Sequence, residues 1–269
     1  MAIVTLLTDF GVGDAYVGMM KGVILSVNPA STVVDITHHI DPQDITQAAY
    51  IIKSSFSYFP EGTVHLVVVD PGVGSDRSII AMEIRNHFFV APDNGVLSIL
   101  MHEEKIDDII RIENQNYFLK SVSRTFHGRD IFAPVGACIS KGVDLRELGT
   151  AVNRDQLVCP DIRKPIISEK GELVGAIVFI DRFGNLITNM DLKRLEIFCK
   201  TDTENRLLVL IGEERISGLS TYYGQAEPNC PLAIIGSLGY LEIAVNCGNA
   251  RSYFKAEKGD IVRVMTTEP

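Results

Sequence analysis

Apolar positions recur along the first half of this chain in two alternating rhythms. Residues 2–8 (A-I-V-T-L-L-T) form a short apolar run that reads as a buried strand. After the loop T-D-F-G-V-G-D, Val17, Met20, Ile24 and Val27 return at helical spacing, and Asn28-Pro29 ends the pattern. Residues 32–37 read as a second strand. Ile45, Ala48, Ala49, Ile52 and Phe56 mark a second helix, stopped by Pro60 and Gly62. A third, β-branched run spans 63–70. This strand–helix–strand–helix–strand order predicts an α/β domain with a mostly parallel sheet covered by helices. Residues 78–84 and 88–91 add two strands, and the turn P-D-N-G (92–95) precedes a short helix.

The rhythm changes around residues 155–173, where Pro160, Pro165 and Lys170-Gly171 sit in a polar stretch. Strand-like runs follow at 174–180, 207–211, 232–235, 240–245 and 261–265. Their spacing predicts a smaller, mainly antiparallel β domain. The expected organisation is an α/β domain over 1–160, a linker over 161–172 and a β domain over 173–269.

Composition narrows the function. The 269 residues are 46% hydrophobic and 22% charged, enough for a sizeable core. A formal net charge of -9 argues against a nucleic-acid partner, since no basic surplus exists to displace counterions. The sequence begins on a strand-like run with no basic segment before it, and no apolar run is long enough to span a bilayer. Cys138, Cys159, Cys199, Cys230 and Cys247 form no C-x-x-C pair, which suggests free, mostly buried thiols in a reducing compartment. The expectation is a cytoplasmic protein without a membrane partner.

Two segments carry candidate chemistry. V-V-V-D-P-G-V-G-S-D-R puts Asp70 at the end of a β-branched run and Arg77 just past a glycine-rich turn. T-F-H-G-R-D puts His127 at the start of an apolar helical pattern. The C-terminal edge of an open α/β sheet is where ligands bind. A single Asp–Arg pair is more simply a structural ion pair. Acid, arginine and histidine at three loop positions together can grip a water and share its protons, so the chain reads as an enzyme.

Asp9 and Asp14 flank the G-V-G turn after the first strand. Tyr16 occupies the third glycine position of a dinucleotide fingerprint, and carboxylates repel phosphate. The two acids suit ribose hydroxyls or an ammonium group. Asp14 reads equally well as a helix cap. Asp9, ending a buried strand, needs partners. D-R-F-G-N (181–185) suits a hairpin turn, though the Asn185 amide can also read a base edge. Tyr222 and Tyr223 suit either packing or base stacking. Ser237 and Glu242 are polar positions in the alternating stretch G-S-L-G-Y-L-E-I-A-V-N. Asp35, His38, His39 and Asp41 lack an established ligand spacing, and adjacent histidines on an extended segment point apart, so no metal is expected there.

Together, T-D-F-G-x-x-D, D-P-G-V-G-x-x-R, A-P-D-N-G, T-F-H-G-R-D, D-R-F-G-N and G-Y-L-E-I-A-V-N resemble the S-adenosylmethionine hydrolases. These are also called S-adenosylmethionine hydroxide adenosyltransferases and are relatives of the fluorinases and chlorinases. The resemblance implies an α/β domain followed by a β domain, and a homotrimer with its active site between subunits. It implies conversion of S-adenosylmethionine and water to adenosine and methionine, with no cofactor. It places the catalytic triad on Asp70, Arg77 and His127, and the ribose acid on Asp9. Contacts to the methionine amine fall on Asp14 and Asp181, and to its carboxylate on Ser237. Adenine contacts fall on Phe183, Asn185 and Tyr222. Glu242 lies in a family motif without a defined role. The halogenating relatives carry tyrosine at the position of Asp70 and lack the histidine. An acid there would repel a halide, which favours water as nucleophile. Competing readings are a halide-using adenosyltransferase, a methyltransferase, or a non-catalytic nucleoside sensor. Chloride-dependent 5′-chloroadenosine, transfer of the methyl group, or binding without adenosine formation would respectively select them.

Overall fold

The computed structural model describes residues 2–160, 164–199 and 207–266. The chain divides into two compact units, residues 1–161 and 162–269. The first begins β1 (Ala2–Thr8), α1 (Tyr16–Val27), β2 (Ser31–Thr37), α2 (Ile45–Ser55) and β3 (Val64–Val68). It continues through β4 (Ile79–Ile84), β5 (His87–Pro92), α3 (Ser98–Glu103), β6 (Ile106–Ile112), α4 (Ala133–Ser140) and β7 (Gly149–Ala151).

The sheet runs β2-β1-β3-β5-β4-β6-β7. Its pairs are parallel from β2 through β5 and antiparallel from β5 through β7. The expected α/β layout holds, with an antiparallel arm added beyond the parallel strands. Strand periodicity sorts the core. Val64, Leu66 and Val68 face α1 and α4, while Val67 and Val69 join the cluster on the α2 and α3 side. At the N-terminal half of the same strands, buried His65 is stacked on His87 and hydrogen-bonded through Nδ1 to Thr5 Oγ1 at 2.8 Å. Burial, then the charge of His87, pushes the His65 pKa down to about 3.

The second unit holds β8 (Ile166–Ile167), β9 (Leu173–Ile180), β10 (Leu186–Asp191), α5 (Leu192–Cys199), β11 (Leu207–Ile211) and β12 (Glu214–Ser217). It ends with β13 (Pro231–Ile235), β14 (Tyr240–Val245), α6 (Ala250–Phe254) and β15 (Ile261–Thr266). The sheet order is β12-β11-β15-β9-β10-β14-β13, antiparallel throughout, with β8 added beside β9. A bridge between Ser220 and Ile234 brings its ends toward closure as a barrel. β8 lies inside the stretch expected as a linker, whose residues 161–163 fall outside the described ones.

The cysteines correct one expectation. Cys159, Cys230 and Cys247 are exposed, and only Cys138 and Cys199 are partly covered. The exposed three sit in loops, where no sheet or helix face covers them. No helix among the described residues is long and apolar enough to cross a membrane.

Candidate active site

Loops at the carboxyl edge of the parallel strands build one cavity of about 400 Å³. Asp9 follows β1, Pro42 and Gln43 follow β2, and Asp70 follows β3. Thr125, Phe126 and His127 close it from the segment that enters a π-helical turn at Gly128–Phe132 and then α4. That size suits a small-molecule ligand. Phe10, Tyr16 and Phe126 pack edge-on or tilted, with centroids 5.1–5.9 Å apart, and give the cavity an apolar side.

The acid, the arginine and the histidine meet here. Arg77 Nε donates to both Asp70 oxygens at 2.9 Å, and Nη2 also donates to Asp70 Oδ2. The same Nη2 donates to His127 Nδ1 at 2.9 Å. The pair is mostly buried, with side-chain exposures of 5% for Asp70 and 10% for Arg77. Asp70 and His127 line the cavity, whereas Arg77 holds them from behind. The loop is drawn tight against the histidine segment. Gly74 has φ +80°, and a Cβ there would lie 2.2 Å from the Arg124 carbonyl oxygen.

The geometry fixes a tautomer. A guanidinium only donates, so His127 Nδ1 is the acceptor and a neutral ring carries its proton on Nε2. Burial first, and the Arg77 charge second, hold the His127 pKa below its ordinary value. Asp70, Asp130 and the Ser123 backbone pull weakly the other way. Asp130, two residues beyond the first helical position of this segment, is fully buried. Burial alone would raise its pKa, but the Arg129 guanidinium and the Ser123 N–H outweigh that and keep it low. Those bonds, 2.6 Å to Arg129 Nε and 2.8 Å to Ser123 N, fix the loop that presents His127.

Asp9 is oriented by a backbone donor. Gln43 N–H reaches Asp9 Oδ2 at 2.8 Å from a left-handed conformation, φ +66°. Gln47 locks that loop by accepting from Asp41 N–H while its own N–H caps onto Asp44. Sequence reasoning missed Gln43, because a backbone donor leaves no residue-type signal. Behind Asp9, Thr8 Oγ1 accepts from Phe10 N–H and pairs with His38 Nδ1 at 2.9 Å. His38 Nε2 lies 3.1 Å from Asp35 Oδ1, off the line of a hydrogen bond, and Asp35 binds Lys21 at 2.6 Å. The D-x-x-H segment thus props the loop after β1.

Asp14 lies elsewhere. It lines a separate groove with Val12, Lys21 and Asp35, and α1 has no side-chain cap, which removes the capping reading. In the second unit, Asp181 caps the β9–β10 hairpin. It accepts from Phe183 N–H and Asn185 N–H, each at 2.8 Å, and from Asn185 Nδ2 at 2.9 Å. The same turn leaves Phe183 75% exposed. Tyr222 and Ser237 are also exposed. Glu242 is buried and accepts from Tyr223 OH at 2.8 Å. Burial, and then Asp181, raise the Glu242 pKa, while burial and Glu242 push Tyr223 up to about 12.

Comparison with known proteins gives a consistent result. The family model for the SAM hydroxide adenosyltransferase N-terminal domain matches residues 4–149, and that for the C-terminal domain matches 175–263. An (R)-S-adenosyl-L-methionine hydrolase of Methanocaldococcus jannaschii is 35% identical, covering 98% of this chain and 95% of the relative. A fluorinase of Actinoplanes sp. is 27% identical, covering 97% of each. The crystal structure of a conserved Thermotoga maritima protein superposes with a TM-score of 0.89 at 35% identity, covering 97% of this chain and 99% of that one.

Proposed function

This chain belongs to the SAM (S-adenosylmethionine) hydroxide adenosyltransferase family, and from that premise we propose that it converts S-adenosyl-L-methionine and water into adenosine and L-methionine. The observation that carries the reading is the Asp70–Arg77–His127 cluster, whose acid and histidine line a nucleoside-sized cavity with the arginine bonded to both behind them.

The sulfonium leaves as a neutral thioether, so the leaving group needs little help. The reluctant partner is water. Arg77 never gives up its proton, and His127 spends its Nδ1 lone pair on Arg77. Asp70 is the remaining acceptor of the three. Water approaches the 5′ carbon at roughly 3–3.5 Å, in line with the sulfur. The C–O bond forms as the C–S bond breaks, and the water proton passes to Asp70. Arg77 stabilises the developing hydroxide by charge. His127, neutral, holds Arg77 in place. A carboxylate at position 70 disfavours a halide nucleophile, which is the specific argument for water.

Asp9, held by Gln43, is the ribose acid in this reading. Asp14 and Asp181 take the methionine amine, Ser237 its carboxylate, and Phe183, Asn185 and Tyr222 the adenine. Glu242 keeps Tyr223 in place beside them. The exposure of Phe183 and Tyr222 supports a homotrimer in which a neighbouring subunit covers them.

The name of the archaeal relative specifies the (R) sulfonium. We extend that preference to this chain. A pocket that fixes the ribose and the amino-acid end separately accepts one arrangement around sulfur. Incubation with a mixture of both sulfonium epimers tests the reading by product and residual-substrate analysis. Equimolar adenosine and methionine are expected, with loss of the (R) form alone. Equal loss of both forms defeats the epimer assignment, and no adenosine at all defeats the function.

A further inference from the structure

The A-P-D-N-G turn lies outside the cavity lining, yet it grips the loop that carries Asp70 and Arg77. The β3–β5 ladder runs from Val64 opposite Phe88 to Leu66 opposite Val90. Past that register a side chain joins the two strands. Asn94 Nδ2 donates to the Val69 carbonyl at 2.9 Å, and Asn94 Oδ1 accepts from Val96 N–H at 3.1 Å. Val69 is fully buried and immediately precedes Asp70. One residue earlier in the turn, Asp93 N–H donates to the Ser78 carbonyl at 2.9 Å, and Ser78 immediately follows Arg77. Both stems of loop 70–77 are therefore tied to two consecutive residues. The turn itself is pinned. Gly95 has φ +94°, a Cβ there would lie 2.1 Å from Pro160 Cδ, and Asp93 Oδ1 accepts from Val158 N–H at 2.9 Å.

We propose that Asn94 is a positioning residue for the hydrolysis, setting the place of Asp70 relative to Arg77 and the cavity through the Val69 carbonyl. This rests on the reading of Asp70 and Arg77 as the water-handling groups. A buried carbonyl needs some partner, and an asparagine that bonds its own turn is common. A general stabilising role would stop there. The added feature is that the donor sits on a turn which also holds the far stem, so the separation of the two functional side chains depends on it. A displacement of about 1 Å at a reacting group costs on the order of a hundredfold in rate.

Asn94→Asp isolates the link. It keeps Oδ1 for Val96 and replaces the donor with a carboxylate oxygen facing the Val69 carbonyl. Turnover is counted per adenosine-binding site, so misfolded molecules drop out. The expected result is a kcat lower by roughly ten- to a hundredfold, with KM and adenosine affinity within about twofold of the parent. Asn114→Asp is the matched control. Asn114 makes the same pair of bonds away from the site, Nδ2 to the Glu147 carbonyl at 2.8 Å and Oδ1 from Asn116 N–H at 3.2 Å, and its kcat should not change. Equal kcat in the parent and Asn94→Asp overturns the proposal. So does a parallel fall of kcat and adenosine affinity, which marks a merely structural role. A parent that releases no adenosine defeats the hydrolase reading instead.

Discussion

Residue by residue, the three members of the cluster do different work. Asp70 and His127 are both proton acceptors by type, but the Arg77 hydrogen bond to His127 Nδ1 separates them. Asp70→Asn should therefore lower kcat by on the order of 10²–10⁴ while adenosine still binds, as measured by steady-state assay and calorimetry. Full turnover in that variant would remove Asp70 from proton transfer. The residues that carry charge were legible from sequence because an acid, an arginine or a histidine beside a glycine turn at a strand end announces itself. Gln43 and Asn94 were not, since one acts through its backbone and the other through a neighbour's carbonyl. Asp14 lies near Asp9 in sequence and lines a groove with Lys21 and Asp35, two residues before the Tyr16 that lines the cavity.

Among the elements, the parallel arm was readable because its strands alternate with strongly periodic helices. β6 and β10 were not anticipated. I-D-D-I-I-R-I carries charges where a core strand is expected to be apolar, and L-I-T-N-M-D is buried almost throughout, so it lacks alternation. The strands also carry a buried imidazole with a consequence for stability. His65 stays neutral in the folded state down to about pH 3, while in the unfolded chain it binds a proton below about 6.5. Its contribution is thus fully present above pH 6.5 and is lost as pH falls, by about 1.4 kcal/mol per unit. Urea unfolding between pH 7.5 and 5 should show this slope, and His65→Gln should flatten it. Parallel pH dependence in the two proteins would show that His65 is protonated in the native state.

For the whole molecule, the two-unit division followed from the change of rhythm near residue 160, but sequence alone left the assembly to family resemblance. Phe183 and Tyr222 sit exposed on the second unit, and Val12, Tyr16 and Met19 on the first. A neighbouring subunit of the proposed trimer would cover side chains of this kind. Light scattering tests the proposal: a mass near three times the 29.6 kDa subunit is expected, and a monomer at assay concentration would contradict it. The central claim, that water rather than a halide or a methyl acceptor is the second substrate, has a direct measurement. Reaction with S-adenosyl-L-methionine in ¹⁸O-labelled water, followed by mass spectrometry, should place the label on the 5′ oxygen of adenosine and leave methionine unlabelled. Adenosine without label, or a 5′-halogenated nucleoside in place of adenosine when a halide is supplied, would contradict it.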